Sequence, residues 1–225
     1  MLVNADFSRP VVVTPDRYDW VTSPQNGVER VMLDRVGEEQ ARATSIVRYA
    51  AGSHFPDHAH PRGEEIFVLS GTFSESDDHY QAGWYIRNPP GSAHQPSSAE
   101  GAIIFVKLRQ MHPTDSQRVR IDTRDPAVWR RQGHREVCPL FLSDTERVCL
   151  QRISPGEALL EGRIGGAELL VLAGNVVIEE RRSCERGSWI RLPQGESLKI
   201  VAGPRGATCY LKTGHLLDPQ AETSA

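Results

Sequence analysis

Residues 52–71 read GSHFPDHAHPRGEEIFVLSG, with His58 and His60 two apart and Glu64 four residues further on. Side chains in an extended strand repeat every second residue, so both imidazoles share one face. Pro61, Arg62 and Gly63 supply a tight turn, and Glu64 opens a second, apolar strand. The return of that strand alongside the first is expected to bring the Glu64 carboxylate level with the two rings. Alternation sends Ile66, Val68 and Ser70 to the face of Glu64 and turns Glu65, Phe67 and Leu69 away, so only one of the paired glutamates can join the histidines. We take Glu64.

A fourth candidate, His94, follows the turn-forming stretch Asn88–Ala93 (NPPGSA), expected to deliver it from a neighbouring hairpin. Three neutral imidazoles and one carboxylate suit a divalent transition metal. The remaining histidines, His54, His79, His112, His134 and His215, stand in polar or turn-like surroundings and are read as surface or hydrogen-bonded residues.

The spacings resemble those of the cupin superfamily. Its first motif, G-x5-H-x-H-x3-E-x6-G, is met by Gly52, His58, His60, Glu64 and Gly71. Its second, G-x5-P-x-G-x2-H-x3-N, is met by Gly83, Pro89, Gly91 and His94, with Ser98 in place of the asparagine.

Outward from this stretch the chain repeats itself. Gly83-Trp84-Tyr85-Ile86-Arg87 falls on Gly187-Ser188-Trp189-Ile190-Arg191, and Pro89 and Gly91 fall on Pro193 and Gly195. Gly52 falls on Gly156 and Glu65–Gly71 (EIFVLSG) on Glu168–Gly174 (ELLVLAG), with one residue missing in the second copy between Gly52 and Glu65. The seam is expected in the polar stretch His112–Gln117, which gives an N-terminal metal-binding unit, 1–112, and a C-terminal unit, 113–225.

Short β-rich runs punctuated by glycine and proline, at 44–49, 65–69, 84–87 and 102–108, predict an all-β sandwich or small barrel for each unit. The stretch Asp34–Ala43 could form a helical turn or two. With the resemblance, the expected fold is two tandem cupin (double-stranded β-helix, jelly-roll) barrels: a bicupin.

The second copy places Glu161 or Gly162 opposite His58, Arg163 or Ile164 opposite His60, Ala167 or Glu168 opposite Glu64, and Leu198 opposite His94. No histidine is supplied, so this unit is expected to hold no such metal. It would pack as the partner that single-barrel relatives gain by dimerising, with a metal-free ligand pocket as the alternative. Further oligomerisation stays open. Cys138, Cys149, Cys184 and Cys209 fall outside the ligand positions and are read as reduced core residues.

Composition excludes other classes. Across 225 residues, 26 basic and 29 acidic side chains leave a net charge of -3, with no basic field for nucleic acid. No apolar run approaches the roughly 18 residues of a membrane span. The first ten residues lack the pattern of a signal peptide, so a cytoplasmic protein is expected.

Four segments, Val28–Gly37 (VERVMLDRVG), Gly63–Ser74 (GEEIFVLSGTFS), Gly83–His94 (GWYIRNPPGSAH) and Ile103–Met111 (IIFVKLRQM), look like the ChrR cupin family. The resemblance implies a zinc ion at residues matching His58, His60, Glu64 and His94, and a regulatory, stress-sensing role. ChrR itself is an anti-sigma factor that grips its sigma factor through a helical N-terminal domain with its own zinc motif. This sequence shows neither that domain nor a C-x-x-C, so sigma-factor binding by that route is not expected. The competing class is a cupin dioxygenase holding iron, manganese or nickel in the same ligand set, with open positions for O2 and a small organic substrate such as a diketone. No catalytic residue beyond the metal ligands is assigned, since Tyr49 and Tyr85 would line a barrel only if their strand phase is right.

Overall fold

The computed structural model describes residues 1–38, 40–179 and 182–216. It is nearly all β, with short 3-10 turns at Pro15–Arg17 and Pro126–Val128. None of its helices is long and apolar enough to cross a membrane. The chain forms two compact units, one from Met1–Ala5 with Asp19–Arg124 and one from Asp6–Tyr18 with the chain from Asp125 onward.

The boundary thus differs from the consecutive segments 1–112 and 113–225 read from the sequence. The strand Val119–Asp122 belongs to the first unit because it pairs with Trp84–Asn88, Trp84 opposite Asp122 and Arg87 opposite Val119. Val11–Val13 belongs to the second because it pairs with Trp189–Thr213, Val11 opposite Arg191. Each segment supplies ladder hydrogen bonds to a sheet edge otherwise bare, which contiguity in sequence does not reveal.

A second expectation is corrected at Asp34–Ala43. Among the described residues no helical turn forms there; the strand Val28–Val36 runs through Asp34 and pairs antiparallel with Arg42–Tyr49, with Val36 opposite Arg42. Asp34 and Arg42, both buried, face each other at 3.6 Å.

In the first unit an antiparallel sheet runs Leu2–Val3, Val28–Val36, Arg42–Tyr49, Ala102–Leu108, Glu64–Glu75, Trp84–Asn88, Val119–Asp122. His58–His60 and Ser92–His94 form a separate two-stranded sheet. The core on one face of the main sheet gathers Val28, Tyr49, Ile66, Val68, Phe73, Ile86, Ile104 and Val106.

The central strand, Glu64–Glu75, is not regular. Val68 stands opposite Ile104 and Ser70 opposite Ile103, so Leu69 is bulged out of register. A bulge adds one residue to one strand and inverts the alternation beyond it. Just past it, Gly71 adopts φ 70, and a Cβ there would lie 1.9 Å from the carbonyl oxygen of Gly101. Gly174 repeats this in the second unit, with φ 67 and the Gly206 carbonyl at 2.0 Å.

The second unit's sheet runs Arg130–Gln132, Arg135–Leu142, Arg147–Ile153, Trp189–Thr213, Ala158–Ile178, Arg182–Glu185. All four cysteines are free and buried, and Cys149, Cys184 and Cys209 lie in its apolar core. Burial pushes the Cys209 thiol up to about 12 and Cys138 to about 11, which keeps both protonated and unreactive.

Gly71→Ala should cost at least ~3 kcal/mol, because left-handed strain and a backbone clash add, whereas Gly52→Ala, at φ 75 in open space, should cost ~1–2 kcal/mol. Urea denaturation of the two variants checks this; equal losses would show that the Gly101 approach does not constrain the fold.

Candidate metal centre

His58 and His60 lie on one short strand and His94 on its antiparallel partner, with His94 directly opposite His58 and Ser92 opposite His60. The three rings gather with centroids 4.8 Å (His58–His60), 5.1 Å (His58–His94) and 4.7 Å (His60–His94) apart. The partner strand of the histidines is therefore the one carrying His94. Glu64 does not return alongside them as a hairpin; it enters from the main sheet, flanked by Asn88 and Leu108.

From there the Glu64 carboxylate still reaches the cluster, its Oε2 3.5 Å from His60 Nε2 and 3.4 Å from His94 Nε2. Glu65 points to the opposite face and pairs with Arg87 at 3.2 Å. Strand phase thus separates the two neighbouring glutamates as alternation requires.

Ring nitrogens are oriented by what each imidazole does on its far side. His58 Nδ1 lies 2.9 Å from the Pro56 carbonyl oxygen and therefore donates to it. His94 Nδ1 lies 2.6 Å from Glu75 Oε1. Both assignments leave Nε2 with its lone pair free. His60 Nε2 and His94 Nε2 face each other at 2.9 Å, and the donor atoms of His58, His60 and His94 all lie within 4.8 Å of one another. Lone pairs converging at buried positions are what a divalent cation satisfies, so the donor set fits such an ion.

Two carboxylates compete for the fourth place, since Glu64, Glu75 and His94 form an overlapping group. Their partners distinguish them. Glu75 is hydrogen-bonded by Asn88 Nδ2 at 2.6 Å and by an Arg120 terminal nitrogen at 2.6 Å, besides His94. Burial works to raise its pKa, but the His94 hydrogen bond and Arg120 outweigh it and hold the carboxyl below its usual range. Glu64 makes no ion pair with a guanidinium among the described residues, and burial pushes it up to about 7 against the lowering charges of His94 and Arg120. Glu75 is already neutralised; Glu64 is the carboxylate that still needs a cation.

Protonation of the histidines follows the same logic. Burial, then the neighbouring His94 and His58, holds His60 down to about 3, so it is a neutral donor. Burial also opposes charging of His94, but the Glu75 hydrogen bond and the Glu64 charge prevail and raise its pKa.

Sequence reasoning missed Glu75, Asn88 and Arg120. Strict alternation from Glu64 puts residue 75 on the other face, and the Leu69 bulge returns it. The available signal was Gly71 followed by Phe73 and Glu75 at period two. Arg120 lay beyond the expected seam. Tyr49 lines the interior, its ring 5.8 Å from that of Phe73, while Tyr85 is buried outside that core. His54 and His134 are exposed, His79 bonds Ser74, and His215 lies 3.1 Å from Glu168.

The second unit offers no equivalent. Glu161 is exposed and pairs with Lys199 at 3.1 Å, while Ile164 and Leu198 belong to apolar packing. Glu168 is occupied by Trp189 Nε1 at 2.7 Å. Among the described residues, both metal-competent groups lie in the first unit.

Residues 8–112 match the model of the ChrR cupin-like domain. No curated protein matches the sequence. Among solved structures, a candidate dioxygenase from Nostoc punctiforme is 14% identical with TM-score 0.74, covering 95% of this chain and 85% of that one. The pirin YhhW from Escherichia coli, solved with nickel(II), is 12% identical with TM-score 0.65, covering 91% and 98%. A Cupin 2 conserved barrel domain protein from Leptotrichia buccalis is 12% identical with TM-score 0.62, covering 95% and 100%. At these identities the likeness is one of fold: this is a cupin fold.

Because Glu75 orients His94 without being positioned as a ligand itself, Glu75→Gln should weaken metal affinity ~10–100-fold and leave binding stoichiometry unchanged. Competition against a chromophoric chelator measures this; an unaltered affinity would remove Glu75 from the site.

Proposed function

We propose that the chain is a metal-binding bicupin with a regulatory, ligand- or stress-sensing role of the ChrR type, its first unit holding one divalent ion through His58, His60, Glu64 and His94. The convergence of these four side chains inside a matched ChrR cupin-like domain carries the reading. When bound, the ion supplies a Lewis-acidic coordination point; the protein's own residues do the rest. Pro56 and Glu75 fix the tautomers of His58 and His94, and Arg120 and Asn88 hold Glu75. Zinc, which has no redox chemistry, suits that role.

A second reading, a dioxygenase using iron, manganese or nickel on a small organic substrate, is favoured by a cavity of about 310 Å³ lined by His58, His60 and Glu64 together with Tyr49, Phe55 and Ile104. A site reached by such a space has room for a ligand beside the metal.

Elemental analysis of protein prepared without an affinity-tag metal separates the readings. One equivalent of zinc per chain is expected; iron accompanied by oxygen uptake on diketone-type substrates would establish the enzyme instead. His58→Ala and His60→Ala should each lose most of the metal while keeping a β-type circular dichroism spectrum. More than one tight metal per chain, retained on changing His94, would overturn the single-site proposal.

A further inference from the structure

The cavity beside the histidines carries a charge that the metal reading does not use. Arg30 lies on the strand Val28–Val36, two residues from Val28 and opposite Val47. Val28 and Tyr49 belong to the first unit's apolar core and Val47 packs against it, so the phase of the strand sets Arg30 on that interior face. It lines the cavity with Val47, Tyr49, His58 and Glu64.

Even a half-buried guanidinium, as that of Arg30 is, costs free energy unless a counter-charge meets it. Arg48, on the facing strand with the opposite phase, has one, a carboxylate oxygen of Glu29 at 2.6 Å and 3.0 Å. Arg30 has a neutral partner only, Ser23 Oγ at 2.5 Å, and no ion pair among the described residues. Burial, then the charge of Arg35, lowers its pKa from the usual arginine value, the signature of a cation short of compensation.

The other ionisable lining points the same way. Arg109 also borders the cavity and meets a neutral partner, Gln40 Oε1 at 3.3 Å. Glu64 is the one carboxylate among the described lining residues, and it faces the histidines. Two guanidiniums and a divalent ion would confront a single carboxylate, so the cavity is built for an anion. Its walls are otherwise apolar, through Val28, Val47, Phe55, Ile104 and Val106, and at about 310 Å³ it lies at the small end of ligand cavities.

We infer that this cavity binds a small monocarboxylate with an apolar body, the carboxylate on Arg30 and the body against the Val47–Phe55–Ile104 wall. Guanidinium meets carboxylate through two parallel hydrogen bonds, and a neutral isostere forfeits both. The ligand class rests on the metal-centre reading for what the ligand approaches, but Arg30 and the apolar wall are in place without a metal.

Isothermal titration calorimetry of the full chain, chelator-stripped and then reloaded with one equivalent of zinc, tests the inference with benzoate, benzyl alcohol and phenyl phosphate as probes. Benzoate should bind at least ~10-fold more tightly than benzyl alcohol in both states. Arg30→Met should abolish that preference with the benzyl alcohol affinity changed less than ~3-fold, and Arg30→Lys should keep part of it. Lysine, which keeps the charge and the stem, serves as the reading variant if the methionine protein fails to fold by circular dichroism. Equal binding of benzoate and benzyl alcohol, no benzoate binding at all, a preference that survives both substitutions, or tighter binding of phenyl phosphate would each overturn the inference. Metal content, measured on the same samples, keeps the two readings apart: a normal metal equivalent without carboxylate selection sinks this inference alone, and carboxylate selection in protein that takes up no zinc on reloading sinks the metal centre alone.

Discussion

The single bulged residue in the strand Glu64–Glu75 decides what the first unit can do. Eleven positions separate the two glutamates, an odd count that in a regular strand sends their side chains to opposite faces. Leu69, dropped from the ladder between Val68 and Ser70, restores both carboxylates to the interior face. One then meets the histidine nitrogens and the other holds His94 from behind. The bulge in turn depends on Gly71, since no side chain fits between its Cα and the Gly101 carbonyl. A backbone constraint therefore stands upstream of the whole donor set.

Much of this was legible in residue order alone. The period-two spacing of His58 and His60, the choice of Glu64 over Glu65 and the arrival of His94 after a proline–glycine turn all follow from strand geometry, and the structure brings these four side chains together. The repeat was legible because glycines with forced conformations keep their places: Gly71 and Gly174 meet the same kind of carbonyl at nearly the same distance. What could not be read was pairing across long separations. Which strand lies beside His58–His60, where Val11–Val13 and Val119–Asp122 find their edges, and the phase inversion at Leu69 are all set by ladder hydrogen bonds between distant segments. Such bonds carry little side-chain signature.

The two units show how one backbone pattern supports different interiors. In the second, the positions that would face a metal hold Ile164 and Leu198, which pack with Leu159, Leu169 and Ile200. Its buried Glu168 accepts the Trp189 indole N–H and lies 3.1 Å from a ring nitrogen of His215. Replacing a polar cluster by well-packed apolar side chains is commonly neutral or favourable for stability. Both units bury charged side chains, Lys212 and Glu146 pairing at 2.9 Å in the second, but the histidine cluster belongs to the first.

That difference bears on why the first unit keeps such a centre. Three imidazoles and a carboxylate, taken from water and left without a cation, work against one another: burial and like charge drive His60 to its neutral form, and the same burial lifts Glu64 to about 7. Each shift is a free-energy cost of ionising the group where it stands, and each vanishes as a cost when a divalent ion takes the lone pairs. The outer partners Pro56, Glu75, Asn88 and Arg120 hold the imidazoles and Glu75 in fixed orientations, an arrangement that suits a cation. The rigid outer shell fixes ring orientation in advance, so binding need not order it. Arg30 repeats the pattern with opposite sign across the same cavity, a cation held in place by Ser23 and left without its anion. The two deficits are complementary, and a small molecule with one anionic end and an apolar body would approach the metal ligands while settling the charge on Arg30.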